Sequence, residues 1–248
     1  MAQMSDDLYL GTAFVSGTNG SAGPSNMTVG VGPLGRIYTF DVVPAAVGTT
    51  TGQNQVALTQ NLPAGNLTLT AGTGTTTTTN AAGQILIVLD CARSLAAYSA
   101  ADLSAQTLTF YGYDQYGQAM SQTITAPNAA TVQTTKCFKS VYQITGSGAI
   151  ASALVVGLGN NIGLPYRLTD LGYVMSCMFN QTAITISSTA VKIADATSPA
   201  TTTTTDVRGY IVTASADATK RLVVNYSLPA LATGPNATRI GAVGVTQV

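Results

Sequence analysis

The chain has 248 residues, of which 8% are charged: ten Lys and Arg against ten Asp, for a formal net charge of zero. An ordinary soluble domain carries about 25% charged residues. His, Glu and Trp are absent, which excludes Ser-His-Asp and Cys-His catalysis and any imidazole metal site, and without a basic excess the chain fits neither nucleic acid nor a polybasic membrane contact.

Uncharged polar residues replace the missing charge. Thr occurs 39 times and Gly 25 times. Thr is β-branched and suits the half-buried surface of a strand, while the strong helix formers Glu and Lys are absent or scarce. The composition therefore predicts an all-β chain. A neutral surface also favours self-association.

Residues 1–25 read as an extended N-terminal arm. It surrounds an apolar piece at residues 8–15 (LYLGTAFV), whose Leu8, Tyr9, Leu10 and Phe14 are candidate interface residues. The acidic start has neither the basic nor the apolar region of a secretory signal, and no apolar run reaches the length of a transmembrane helix. Residues 26–228 read as one all-β domain and residues 229–248 as a Gly/Ala/Thr-rich tail.

The domain opens with a strand at 36–43 (RIYTFDVV), stopped by Pro44. Short strands are expected at 54–58 and 66–70. Residues 84–89 (QILIVL) form the continuous apolar run of a strand buried on both faces. Residues 92–103 (ARSLAAYSAADL) are the one passage with helical character. Residues 106–114 (QTLTFYGYD) alternate, with Leu108, Phe110 and Gly112 on one face and Thr107, Thr109, Tyr111 and Tyr113 on the other. A turn at 114–117 and a return strand at 118–125 complete a hairpin.

Residues 138–145 and 150–156 read as a second hairpin around Gly146-Ser-Gly148, with a turn at 157–161 and a bend at Pro165. Strands are expected at 172–179 and 183–188, and a last hairpin at 209–214 and 220–226. A dozen or so short antiparallel strands with turn chemistry between them fit a jelly-roll-like sandwich or barrel with extended terminal arms. The run TTTTT occurs at 75–79 and again at 201–205, each before a Gly and a strand. It reads as a low-complexity loop used twice, or as a relic of duplication.

Motifs for chemistry are few. The stretch GVGPLG at 30–35 matches G-x-G-x-x-G in form, but Pro33 interrupts it and a strand follows where a dinucleotide site needs a helix. The acids are scattered singly, and Asp114, Asp170, Asp206 and Asp217 fall in turns, where Asp bonds its own backbone. No calcium-loop pattern occurs. Cys91, Cys137 and Cys177 are far apart and odd in number, as expected of reduced, buried residues. Neither catalytic residues nor a metal or cofactor are expected.

Tyr111, Tyr113 and Tyr116 gather where strand meets turn. Tyr on a polar face serves an interface or packs flat on cross-strand Thr neighbours. Arg36, Arg167 and Arg208 are isolated cations, suited to inter-subunit bonds or to capping local turns.

Three stretches in order, GPLGRIYTFDVVP at 32–44, LSAQTLTFYGYDQYG at 103–117, and FKSVYQITGSG at 138–148 leading to VGLGNNIGLP at 156–165, resemble tailed-bacteriophage structural proteins, especially capsid cement or decoration proteins. The resemblance implies a jelly-roll-like domain that self-associates as a dimer or trimer and clamps neighbouring major capsid protein subunits. Its place would be the capsid exterior of a virion, after synthesis in the host cytoplasm. It implies no catalytic residues. The alternatives are a tail, baseplate or fibre component and a carbohydrate-binding or adhesin module.

Overall fold

The computed structural model describes residues 36–48, 54–195, 205–213 and 216–228. Over these residues the chain is all-β, with curled antiparallel sheets and no α-helix. The strands are β1 (Arg36–Val42), β2 (Ala57–Leu62), β3 (Gly65–Asn66), β4 (Thr75–Thr79), β5 (Ile85–Tyr98), β6 (Thr107–Tyr113), β7 (Ala119–Thr125), β8 (Thr131–Gln133), β9 (Phe138–Gly146), β10 (Ile150–Gly163), β11 (Val174–Phe179), β12 (Thr182–Ala183), β13 (Val191–Lys192), β14 (Tyr210–Val212) and β15 (Leu222–Leu228). A small sheet has the order β1-β15-β11-β12. A large one runs β13-β14-β10-β5-β9-β6-β7, with β2 on β10, β3 on β9, and β4 and β8 on β5.

The 14-residue strands β5 and β10 organise the large sheet. The first half of β5 bonds to β4 on one edge and β9 on the other; its second half bonds to β10 and β8. Irregular register between Val88 and Arg93 separates the halves, and such bulges bend a strand. Residues 92–98 thus continue β5 where helical character was expected. Their alanines would suit a helix in isolation. Pairing on both edges, with Ala92, Leu95, Ala96 and Ala97 all buried, overrides that propensity.

Other expectations change for the same reason: pairing between residues distant in sequence decides. Strands β9 and β10 exist, but β5 lies between them, so they form no hairpin. Residues 157–161 are interior to β10 rather than a turn. Gly159 is there because a side chain would overlap Ser94 Oγ. Strands β14 and β15 also form no hairpin, because they belong to different sheets. Residues 75–79 are a strand rather than a loop, in register with Ile85 to Leu89. The Asn80 side-chain oxygen closes that turn by accepting from the N–H groups of Ala82 (3.0 Å) and Gln84 (2.9 Å). Of the expected 183–188 strand only Ala183 pairs, as the end of β12, and of the expected 66–70 strand only Asn66, as the end of β3. Residues 201–204 of the second Thr run lie outside the described residues, as do the whole arm at 1–25 and the tail beyond residue 228.

Two large apolar clusters, with a small third of Ala92, Cys137 and Tyr210, fill the interior. One lies inside the curled large sheet and includes Leu95, Phe110, Phe138, Ile144, Val156 and Leu158. In the other, the inner face of the small sheet (Leu222, Val224, Tyr226, Cys177, Phe179) packs on Ile162, Val191 and Ile211 at the β13-β14-β10 end of the large sheet. That second layer is a sandwich.

Candidate functional site

The outward face of β9-β6-β7 carries the candidate surface. As expected from alternation, Leu108, Phe110 and Gly112 are buried, while Tyr111 and Tyr113 stand half-buried on the opposite face. The register then adds what alternation alone does not reveal. Tyr111 faces Gln143 and Gly112 faces Val141, so Tyr142 is the extra residue of a bulge in β9. Gly112 permits this close approach: a Cβ there would overlap the Ser140 carbonyl oxygen and lie 2.8 Å from the Phe138 ring.

The bulge turns Tyr142 toward its neighbours. Its ring centre lies 5.4 Å from that of Tyr113 and 6.2 Å from that of Tyr111, both tilted. Partial burial, and then the adjacent tyrosines, push the Tyr142 phenol above its ordinary pKa, so it presents a neutral hydroxyl group near neutral pH. Hydrogen bonds order the surroundings. The Thr109 and Thr123 hydroxyls share a bond of 3.0 Å, the Tyr113 hydroxyl donates to the Gln84 side-chain oxygen (3.3 Å), and Gln143 Nε2 donates to the Asn66 side-chain oxygen (2.8 Å). The outward positions of β6 and β7 are Thr107, Thr109, Tyr111, Tyr113, Ala119, Ser121, Thr123 and Thr125, none of them charged.

Tyr116 does not join this face. It sits on the hairpin tip, 46% exposed. Its hydroxyl donates to the Pro165 carbonyl (2.7 Å), and the Arg208 guanidinium lies 4.7 Å from its ring centre, a cation–π contact. Asp114 closes the same tip. One of its oxygens accepts from the N–H groups of Tyr116 (2.8 Å) and Gln118 (2.9 Å), and the other accepts from Arg208 Nη1 (2.7 Å). The tip is thereby fastened to the β10–β14 end of the large sheet. Leu8, Tyr9, Leu10 and Phe14 lie outside the described residues.

Much of the scarce charge is interior. Arg93, Lys136, Arg167, Arg208, Asp114 and Asp206 are all buried. Arg93 donates to the Gly159 and Ala45 carbonyls and pairs with Asp90 (3.0 Å). Arg167 donates to the carbonyls of Val207 (3.3 Å) and Asp195 (2.7 Å), so neither Arg167 nor Arg208 reaches outward to a neighbour. The Arg36 side chain lies outside the described residues.

Asp206 accepts from the N–H groups of Cys137 (3.0 Å) and Arg208 (2.9 Å), and burial holds its carboxyl above the usual range despite those bonds. Burial lowers Lys136 to about 8, against the pull of Asp206 and Asp195. Asp206, Asp114 and Arg208 line a cavity of only about 10 Å³, room for one water. A wider cleft of about 420 Å³ is lined by Leu171, Ser188, Val191, Lys192, Ile193, Ala194, Asp195 and Thr205. All three cysteines are free and buried, with Cys91 pushed up to about 12 and Cys177 to about 11 by burial. Thiols in such surroundings are inert.

The outward side of β6 and β7 is thus an ordered array of Tyr, Thr and Ser side chains, with much of the scarce charge held inside. No protein-family model, curated protein or solved structure matches the chain.

Proposed function

We propose that this chain is a non-enzymatic structural component of a virion. It binds the outside of a bacteriophage capsid, stabilises contacts between major capsid protein subunits, and associates with copies of itself. The observation that carries this reading is the tyrosine face of β6 and β7, completed by Tyr142 of β9, on which the outward β6 and β7 positions bear no charge. Tyr buries a large area at little cost in rotamer entropy and is enriched in interfaces. A face without ions loses none to desolvation on docking. The all-β fold and the order of the three sequence stretches that resemble cement proteins support the same reading. The arm at residues 1–25, with its apolar segment, is suited to adding a strand to a neighbouring sheet, and many copies on one shell gain avidity.

The test is cryo-EM of particles carrying the chain, together with particles carrying a form deleted of residues 1–25. The expected result is density repeated over the whole shell at capsomer junctions, with reduced occupancy for the deletion. Density at a single vertex would identify a tail or baseplate part instead. Absence from particles would reject the reading altogether.

A further inference from the structure

We infer that the open edge of β7 pairs with β7 of a second copy of this chain about a two-fold axis. This deepens the self-association part of the proposed function and rests on it. Among the described residues the strand partner of β7 is β6, and their register runs from Thr107↔Thr125 to Tyr113↔Ala119 without a bulge. At the turn, the Asp114 N–H donates to the Gln118 carbonyl (3.0 Å); past the other end, the Ala126 N–H donates to the Gln106 carbonyl (3.0 Å). Bonded and non-bonded pairs alternate along an antiparallel ladder. Met120, Gln122 and Ile124 therefore aim their backbone groups at β6. Ala119, Ser121, Thr123 and Thr125 aim theirs away from it, as a row of donors and acceptors with no strand partner among the described residues.

Sheet edges are ordinarily guarded by Lys, Pro, a bulge or another charge. The sequence of β7, AMSQTIT, has none of these. By contrast, β1 bears Asp41 in an ion pair with Arg221, and the short β13 bears Lys192. Anchoring from beneath also holds β7 straight: the Gln122 side-chain oxygen accepts from the N–H groups of Thr135 (2.9 Å) and Lys136 (2.8 Å).

The edge is self-complementary. A two-fold axis through Gln122 sets Ser121 opposite the partner's Thr123 and Ala119 opposite the partner's Thr125. Each outward residue then donates one backbone bond and accepts one. Hydroxyl side chains meet across the outer face, a favourable cross-strand pairing, and no ion is desolvated. The large sheets become continuous, and the two tyrosine rows lie on one face about 14 Å apart, three strand spacings.

The test is sedimentation velocity and amide hydrogen exchange on the full chain, with two edge variants. Ser121→Lys places a charge on the edge, and Thr123→Pro removes an outward N–H while leaving the bonds to β6. The expected result is a wild-type dimer in which the Ser121, Thr123 and Thr125 amides are protected. Each variant should weaken it about 100-fold and free those amides, while the circular dichroism of the fold persists. A wild-type chain that stays monomeric at high concentration overturns the inference, as does a dimer that neither variant weakens. So does a dimer lost in Leu10→Asp/Phe14→Asp but kept in both edge variants, which would make the arm the occupant. Shell occupancy is read separately: a monomer that still decorates particles overturns the edge pairing and leaves the capsid reading standing.

Discussion

The Asp114–Arg208 pair offers a direct measure of what holds the hairpin tip beneath the tyrosine face. Both side chains are 2% exposed and their charged atoms are 2.7 Å apart. Asp114→Asn keeps an oxygen for the Tyr116 and Gln118 N–H groups but turns an amide, or a neutral oxygen, toward the guanidinium. Removing one partner of a buried pair costs about 3–5 kcal/mol, because the other charge stays buried without compensation. Arg208 has little else: its Nε and Nη2 find no hydrogen-bond partner among the described residues, and the Tyr116 ring offsets only about 0.5–2 kcal/mol. Asp114→Asn is therefore expected to cost about 3 kcal/mol, and Arg208→Met a similar amount. The double variant should cost clearly less than their sum, with a coupling energy of at least about 2 kcal/mol. Urea unfolding of all four proteins at pH 7 closes the cycle. A coupling below about 0.5 kcal/mol, the range of exposed pairs, would refute the burial argument.

Lys136 has its folded pKa lowered to about 8 from 10.5. Between those values the unfolded chain binds the extra proton, so stability should rise with pH by up to about 2–3 kcal/mol. Denaturant midpoints measured from pH 8 upward should show this rise in wild type relative to Lys136→Met; parallel pH profiles would contradict it. Gly112→Ala would drive a Cβ into the Ser140 carbonyl and should cost about 2–3 kcal/mol, seen as a lower Tm and an altered tyrosine near-ultraviolet signal. A disulfide reagent at pH 8 should leave Cys91, Cys137 and Cys177 unlabelled in the native protein and label all three in urea, because burial keeps the thiolates unformed; native-state labelling at the rate of a free thiol would disprove it.

The sequence was legible where the deciding contacts are local. The β6–β7 hairpin could be read from alternation and from the Asp-Gln-Tyr-Gly turn, because adjacent strands paired through a tight turn need only nearby residues. The all-β class could be read from Thr, whose branched side chain acts residue by residue. What stayed hidden depends on partners far along the chain. The insertion of β5 between β9 and β10 joins residues far apart in sequence, such as Ile87 with Val141 and Leu95 with Leu158, and it made strand of residues 92–98 of the expected helix and of the expected turn at 157–161. Tyr142 was missed because alternation assigns it no special place; only the register against β6 reveals the bulge. The Gly at 112, in a run of β-branched and aromatic residues, was the one local signal, since Gly within a strand marks a bulge or a close approach. Tyr116 was grouped with Tyr111 and Tyr113 by proximity in sequence, yet the turn sends it to Pro165 and Arg208.

The placement of charge carries the functional argument further than its scarcity does. A chain short of ions has two ways to remain neutral outside: pair the charges at the surface or bury them. Here Arg93, Lys136, Arg167, Arg208, Asp114 and Asp206 are interior, while Asp41–Arg221 and Asp217–Lys220 are paired where they are exposed. Burial of ions is costly and is not how stability is most cheaply obtained. Its effect is to fasten long-range joints, such as the hairpin tip to Arg208 and the Gly159 strand to Arg93, while the outward positions of β6 and β7 carry no charge and Lys139 of β9 is held by the Leu89 and Asp90 carbonyls. A partner docked on that face or on the β7 edge would meet tyrosine rings, hydroxyls and backbone groups, none of which is screened by salt. Association through them should therefore hold as ionic strength rises, and loss of the proposed dimer on going from low to high salt would contradict that.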